Sequence, residues 1–129
     1  MKLTSSSILA ASLLVLTFAA TAQKGDHLVR IAKEGLRHSA SINFITDTNV
    51  LQIDSLLIPC SKNSIVKLKS ENNEYRVEFF LQRNTSIRNT NDASFRRDWL
   101  ALPFQSRKSA KEFITAFQKI SHSHQTKSL

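Results

Sequence analysis

Cysteine, glycine and proline are scarce in this chain of 129 residues, which contains one cysteine, two glycines and two prolines. A lone Cys60 excludes an internal disulfide, and we interpret it as a buried, inert thiol rather than a free thiol or an intermolecular link. Phosphate-binding loops need glycine because the backbone must approach the anion closely. The absence of glycine after Gly35 therefore argues against a nucleotide site in the later part of the chain.

Motifs for catalysis and for metal binding are also missing, since the sequence has no Gly-x-Ser-x-Gly elbow and no His-Glu-x-x-His pair. Glu74 and Glu78 have the spacing of paired carboxylates on one strand face, but Arg76 between them favours a solvated charged face. His122 and His124 could chelate zinc, but a polar tail offers no third ligand. We therefore predict that the protein is not an enzyme and has no cofactor and no metal.

Only one long apolar run is present, and it covers residues 8–20. Lys2 precedes the run and Ala20-Thr21-Ala22 follows it, which is the order of a cleavable secretory signal peptide. The run is shorter than the roughly 20 residues of a membrane-spanning helix, so we favour cleavage over an N-terminal anchor. The sequence thus predicts a signal peptide over residues 1–22 and an exported protein, periplasmic or extracellular, that begins at Gln23.

Positive charge is in excess, with a formal net charge of +8. Loss of the leader removes only Lys2 and leaves +7. In an exported protein such a charge favours an anionic partner: an anionic polysaccharide, lipid head groups or an acidic protein. The predicted location argues against nucleic acid.

One domain is expected over residues 23–121, followed by a disordered polar tail over residues 122–129. Asp26 is the expected N-cap of a first helix, although the segment could instead be a loosely docked arm. The helix has one apolar stripe, which consists of Leu28, Ile31, Ala32 and Leu36. Short strand-like runs follow, separated by turns rich in asparagine and aspartate.

The clearest hairpin spans residues 65–82, where apolar and polar side chains alternate. A four-residue turn over 70–73 places Lys69 opposite Glu74, whereas a two-residue turn places Lys69 opposite Arg76. Because like charges directly opposite each other are unfavourable, we predict the four-residue turn.

After this hairpin, residues 89–94 are expected to form a mobile loop, and residues 99–104 a strand that Pro103 places at a sheet edge. The last element is an amphipathic helix, with Ser109 as the expected N-cap and Ser106 as the competing one. Its apolar face consists of Ala110, Phe113, Ile114, Phe117 and Ile120. We expect Phe113 and Phe117 to pack on the sheet face that presents Tyr75, Val77 and Phe79.

The run of short strands, a last strand and one C-terminal helix resembles the pleckstrin-homology-like barrel superfamily over roughly residues 40–120. The resemblance implies a scaffold that binds lipids, peptides or proteins and rarely catalyses a reaction. The family's phosphoinositide-binding loop has no match here, because Asp47-Thr48-Asn49 stands in the first hairpin. We predict an α+β fold: an antiparallel sheet or partly open barrel of about 5–7 short strands. An N-terminal helix and the C-terminal amphipathic helix are expected to pack on it.

The best candidate interaction surface is a cluster of four arginines within a short segment, followed by an aromatic side chain. Its members are Arg83, Arg88, Arg96, Arg97 and Trp99. The planar arginine fork suits carboxylate, sulfate or phosphate. We nevertheless favour the alternative, a solvated loop with Trp99 in the core.

Three functions are compatible with these features. The leading hypothesis is a small, exported, non-enzymatic binding module for an anionic envelope component or a protein partner. The alternatives are a structural or interaction subunit that acts through an apolar surface, and a hydrolase with an unrecognised site. Asn84-Thr85-Ser86 is a glycosylation sequon that matters only in a eukaryotic source.

Overall fold

A computed structural model of the protein describes residues 22–123. Residues 22–35 form helix α1, and the later elements are β1 (Ile42–Ile45), β2 (Val50–Ile53), β3 (Leu56–Pro59), β4 (Ser64–Glu71), β5 (Glu74–Leu81), β6 (Ile87–Asn89), β7 (Asp92–Arg97), β8 (Trp99–Phe104) and α2 (Arg107–Ser123). The signal-peptide prediction, Ala22 apart, and the tail prediction from His124 onward lie outside the described residues.

The eight strands form two antiparallel sheets between the two helices, which confirms the α+β class. A five-stranded sheet has the order β1-β2-β3-β6-β7, and a three-stranded sheet has the order β4-β5-β8. Within residues 22–123 the sheets do not close into a barrel. β8 lies at an edge, as Pro103 predicted. The strand count exceeds the expected five to seven because the segment after Ile87 pairs instead of forming a loop.

Four phenylalanines hold α2 on the three-stranded sheet. The Phe79 ring meets Phe113 and Phe117 edge-on, with centroid distances of 6.0 and 5.4 Å, and Phe104 lies 5.1 Å from Phe113. Phe79, Phe113 and Phe117 are fully buried. The predicted contact between the helix and this sheet face is confirmed. Such pairs contribute about 0.5–1.5 kcal/mol beyond the burial of their area.

The predicted N-cap of α2 is wrong, because the helix begins at Arg107. Ser106 is the cap: its Oγ accepts the Ser109 N–H at 3.1 Å, and the Ser109 Oγ accepts the Ser106 N–H at 3.2 Å. This reciprocal pair uses a second serine where a capping box has Glu or Gln. The earlier start places Arg107 and Lys108 in the first turn.

The predicted turn of the β4–β5 hairpin is also wrong. Lys69 lies opposite Arg76, and Glu71 lies opposite Glu74. Asn72 and Asn73 have φ values of 53° and 62°, which is the left-handed pair that a type I′ turn requires. This turn matches the twist of the strands. The left-handed turn therefore decides the register, and the ion pair of Glu74 with Arg76 along β5, at 2.7 Å, offsets part of the repulsion between like charges.

The mobile loop predicted over residues 89–94 is replaced by a tight turn and the strand β7. Asn89 pairs with Asp92 across the turn, and the Asn89 Oδ1 accepts the Asn91 N–H at 2.8 Å. The Asp92 carboxylate accepts the Ser94 hydroxyl at 2.6 Å and the Ser94 N–H at 3.0 Å, and these bonds lower the pKa of Asp92. Local side-chain bonds therefore order a segment with little apolar character.

Helix α1 is docked and not a loose arm. Its predicted stripe is buried, with Leu28 and Ala32 at 0% exposure. Asp26 is not the N-cap, because helix already covers residues 22–25. After the helix, Leu36 forms a bridge with Phe104 of β8, and the Gln105 N–H donates to the Gly35 carbonyl at 2.8 Å. These bonds bring the end of α1 beside the start of α2.

Candidate functional site

An open groove of about 980 Å³ lies between α1 and α2. α1 contributes His27, Arg30, Ile31 and Glu34 to it. α2 contributes Arg107, Lys108, Lys111, Glu112, Thr115, Ala116 and Lys119. We call this cavity the interhelical groove. Five of its lining side chains are cations and two are carboxylates, so a net positive charge is concentrated in one concave surface.

Close packing at the end of α1 sets the position of the groove. A Cβ atom at Gly35 would lie 2.9 Å from Cδ2 of Phe104 and 3.0 Å from the Cβ of Ser109. Only glycine allows this approach between α1 and the first turn of α2 without a shift. The exposed faces of the two helices therefore meet as the two walls of one groove.

The wall formed by α2 is a line of side chains at four-residue spacing. Arg107, Lys111, Thr115 and Lys119 follow one another along the helix, and all four are exposed. Four residues of α-helix rise about 6 Å, so Arg107 and Lys119 are about 18 Å apart along the axis. The cations are thus spread along the groove and do not converge on one point.

The wall formed by α1 carries an arginine held by a histidine. An Arg30 guanidinium nitrogen lies 2.9 Å from Nδ1 of His27. Because a guanidinium only donates, Nδ1 must be the acceptor and therefore carries no proton in this arrangement. This bond orients the Arg30 side chain but does not neutralise its positive charge.

The α2 cations have no partner in the described part of the chain. Among residues 22–123, the side chains of Arg107, Lys111 and Lys119 make no ion pair, hydrogen bond or ring contact. Two features make this placement locally unfavourable. Arg107 and Lys111 are like charges at i,i+4, and α2 has no acidic residue in its first turn to complement the helix dipole.

The predicted arginine cluster is divided between elements. Arg83 lies in the turn after β5, Arg88 on β6, and Arg96 and Arg97 on β7. The Arg97 guanidinium stacks over Phe95, 5.8 Å from the ring centroid. No hydrogen bond or ring contact among residues 22–123 joins one of the four arginines to another or to Trp99.

Trp99 is exposed, so the favoured prediction that it lies in the core is wrong. Its exposure is 44%, and its Nε1–H donates to the Glu78 carboxylate at 3.2 Å. It lies on β8 beside Phe80, on the outer face of the three-stranded sheet. Strand parity explains the error: Leu100, Leu102 and Phe104 occupy the inner face, which leaves Trp99 on the opposite side.

Cys60, Glu74 and Glu78, the other residues considered as candidates for chemistry, are buried or bonded to neighbouring side chains. Cys60 is buried as predicted, and burial raises the pKa of its thiol, while a weaker backbone hydrogen bond with Leu51 acts in the opposite direction. Glu74 accepts from Arg76 and also pairs with Arg37 at 3.6 Å, whereas Glu78 accepts from the Trp99 indole. A search of the described residues found no group of three or more His, Cys, Asp and Glu side chains placed to hold a metal ion.

A smaller cavity of about 430 Å³ lies between the two sheets, next to the segment that links α1 to β1. Its lining is mostly apolar and includes Leu36, Ile53, Leu56 and Leu102. His38 and Asp54 lie at its polar side. Both are exposed to solvent.

No family model, no curated protein and no solved structure matches this chain. The resemblance to pleckstrin-homology-like barrels therefore stays a prediction. Within the part of the chain that the structure describes, neither helix is both long and apolar enough to cross a bilayer.

Sequence reasoning missed the interhelical groove. One signal was present, the four-residue spacing of Arg107, Lys111 and Lys119 on a helix that was otherwise well predicted. The helix start expected at Ser109 left Arg107 outside the helix and hid this spacing. The contribution of Arg30 had no sequence signal, because it depends on the docking of α1 against α2.

Proposed function

We propose that the protein is a small, exported, non-enzymatic binding module that holds an anionic partner in the interhelical groove. The observation that carries this proposal is the line of α2 cations without partners in the described chain. An anion bound there would supply the missing counter-charge. It would also remove repulsion that the fold tolerates when the groove is empty.

The positions of these cations support a functional role. Charges that oppose a helix dipole, or repel one another at i,i+4, each cost a few tenths of a kcal/mol to about 1 kcal/mol. Proteins break such local rules mostly at functional sites. Elsewhere in the described chain several cations have partners, for example Arg76 with Glu74 and Lys67 with the Phe80 ring.

A binding test with matched variants separates the groove from net charge. The groove variant combines Arg107→Gln, Lys111→Gln and Lys119→Gln. The control combines Lys33→Gln, Lys62→Gln and Lys69→Gln, which removes the same charge from exposed positions outside the groove. We expect the wild type and the control to be retained on anionic matrices at low salt and released by added salt.

The groove variant should bind about 10- to 100-fold more weakly, if each charge contributes about 0.5–1 kcal/mol. Retention would be measured on immobilised acidic polysaccharide, phosphate resin and acidic lipid vesicles. Equal weakening of both variants would show that net charge alone drives binding and would remove the groove from the proposal. No retention of the wild type on any of these matrices at low salt would remove the electrostatic function.

Export is the second part of the proposal. Every residue that lines the groove lies downstream of Ala22, so cleavage at the predicted position leaves the site whole. Expression of the full-length chain in a secreting host should release a product whose N-terminal residue is Gln23. Mass spectrometry of the released protein checks this, and an intact Met1 on a purely intracellular product would contradict it.

A second candidate function rests on the exposed indole of Trp99, which suits an interaction subunit that associates through an apolar surface. Phe80, half-buried, lies beside it on the same outer sheet face. Association through this face should survive high salt and should be lost in Trp99→Ser. Light scattering at low and high salt distinguishes this function from the groove, since binding at the groove weakens as salt is added.

A further inference from the structure

The ligand class can be narrowed from the shape and chemistry of the interhelical groove, an argument that rests on the proposed function. Three α2 cations extend over about 18 Å of helix axis, and Arg30 faces them from α1. A compact anion such as one phosphate group can reach only one or two of them. An extended chain with anionic groups at regular intervals can reach all of them.

The size of the groove suits a ligand of one chain. Its volume of about 980 Å³ lies at the upper end of the roughly 300–1,000 Å³ of small-ligand pockets. A single extended polymer chain fits between the two helices. A nucleic acid duplex does not, since its major groove alone is about 12 Å wide.

The floor of the groove argues against an amphipathic helix as the occupant. Ile31 is only 9% exposed and Ala116 only 3% exposed. A helix bound in a groove gains most of its affinity from apolar side chains seated in exposed apolar pockets. Because both floor side chains are buried, the exposed apolar surface of the groove comes mainly from the aliphatic stems of its charged walls and not from apolar pockets. Recognition therefore depends on the charges and hydrogen bonds along the walls.

Two carboxylates in the groove point to a ligand that also donates hydrogen bonds. Glu34 and Glu112 line the groove, and neither makes an ion pair with a neighbouring cation in the described residues. A carboxylate accepts hydrogen bonds and repels other anions. A polyphosphate chain has no donors to offer it, whereas a sugar chain carries hydroxyl groups at every unit.

We propose that the interhelical groove binds a single chain of an acidic polysaccharide, with uronate carboxylates on the cations and sugar hydroxyls on Glu34 and Glu112. Arg107, Lys111 and Lys119 provide the line of positive charge along one wall, and Arg30 provides the charge of the other. Thr115 supplies a hydroxyl between the cations, where a neutral part of the sugar can bond.

The first experiment is a length series. Oligogalacturonates from the monomer to the octamer are titrated calorimetrically into the purified protein. We expect no measurable binding of the monomer, a steep rise in affinity until the oligomer spans the about 18 Å between Arg107 and Lys119, and then a plateau. An affinity independent of length would overturn the proposal of an extended ligand.

The second experiment exploits the two carboxylates. The double variant Glu34→Gln, Glu112→Gln makes the groove more positive but gives up its charged acceptors. We expect about two- to tenfold weaker binding of the oligogalacturonate octamer, because weakening two charge-assisted hydrogen bonds outweighs the gain in positive charge, and tighter binding of linear polyphosphate of similar length. Tighter binding of both probes would show that the groove reads charge alone and would overturn the sugar assignment.

The outcomes distinguish this inference from the proposed function. Groove-dependent binding of polyphosphate or of acidic vesicles, without any preference for oligogalacturonate, overturns the polysaccharide and leaves the anion-binding module standing. Loss of all salt-sensitive binding removes both. Thermal melting of each variant provides the control for folding, and because every substituted side chain is exposed, the melts should superimpose within a few degrees.

Discussion

The exposed surface of α1 and α2 that forms the interhelical groove, here called the helical face, differs from the outer face of the three-stranded sheet. The two faces differ in how many of their cations have a partner. On the sheet face, Lys67 lies over the Phe80 ring and Arg76 pairs with Glu74, whereas Lys69 has no partner among the described residues. On the helical face, Arg107, Lys111 and Lys119 have no such partner within the described chain. The aromatic side chains of the two regions also differ in burial. Trp99 is exposed on the outer sheet face, whereas Phe113 and Phe117 of α2 are buried on the side of the helix that faces the sheet.

This difference indicates where binding and stability conflict. A surface ion pair contributes only about 0–1 kcal/mol, because the attraction is offset by the side-chain entropy lost, so the pairs on the sheet face stabilise the fold little. Arg107, at the N-terminal end of α2, and its like-charged neighbour Lys111 weaken the helix that carries them. The helix persists because its opposite face is anchored by aromatic packing. The anchor and the groove are therefore two sides of one element, and each can be changed without the other.

The largest effect is expected when that anchor is removed. Phe117→Ala should lower the free energy of unfolding by about 3–5 kcal/mol, since it opens a cavity beside Phe79 in a fully buried cluster. Trp99→Ala, the matched change on the sheet face, should cost about 1 kcal/mol or less. Urea denaturation of both variants measures the difference. Equal losses would contradict the contrast between a buried and an exposed aromatic group.

The next effect concerns α1, the helix that carries the other wall of the groove. A Cβ atom at Gly25 would overlap the Phe44 ring of β1. Gly25→Ala should therefore destabilise by about 1–3 kcal/mol through overpacking, although alanine favours a helix over glycine by about 1 kcal/mol. Lys24→Ala, one residue earlier and exposed, is the control. Relief by the second change Phe44→Leu would confirm the clash, and a stabilising Gly25→Ala would refute it.

The pH dependence of stability tests the burial of Cys60, which lies in the interior between the two faces. Burial raises the pKa of Cys60 above its ordinary value of 9.0, so the folded state keeps the proton where the unfolded chain loses it. The stability due to this group is complete below pH 9 and falls by about 1.4 kcal/mol per pH unit above it. The difference in unfolding free energy between wild type and Cys60→Ala, followed from pH 8 to 10, checks the slope. A constant difference would mean that the thiol ionises in the folded protein.

The smallest effect has the opposite sign. Arg107→Glu places a carboxylate in the first turn of α2, four residues before Lys111, and should raise stability by about 0.5–1 kcal/mol. The same variant should bind anionic matrices more weakly. Lys62→Glu changes an exposed turn residue and should leave stability within about 0.5 kcal/mol. If Arg107→Glu binds as tightly as wild type, the conflict between stability and binding on the helical face does not exist.

Apolar periodicity predicted most helices and strands correctly. It failed where turn conformations and side-chain hydrogen bonds determine the structure. The stripes of both helices and the inner faces of β5 and β8 are repeats of a single pattern, so they were visible without a structure. The hairpin register was not, because one left-handed Asn72-Asn73 turn outweighed the cross-strand charges. β7 was not visible because the side chains of Asn89 and Asp92 order its turn, and Phe95 is the one apolar side chain of the strand that packs against the core.

The candidate site was harder to predict than the fold. The arginines singled out from the sequence are close in number, but the structure places Arg83 in a turn and the other three on two strands of the five-stranded sheet. The groove joins Arg30 to Lys111, which are far apart along the chain, and it exists only because Gly35 lets α1 approach α2.

The sequence by itself determined the excess of positive charge, the helical and strand segments, and which side of each is apolar, because hydrophobic burial acts locally through a period of 3.6 or 2 residues. Only the tertiary structure decided which cations face one another and which have no partner. The physical reason is that charges interact through space over several ångströms, so their surroundings depend on how distant segments pack. The groove between α1 and α2 is therefore a property of the fold, although every charge in it is present in the sequence.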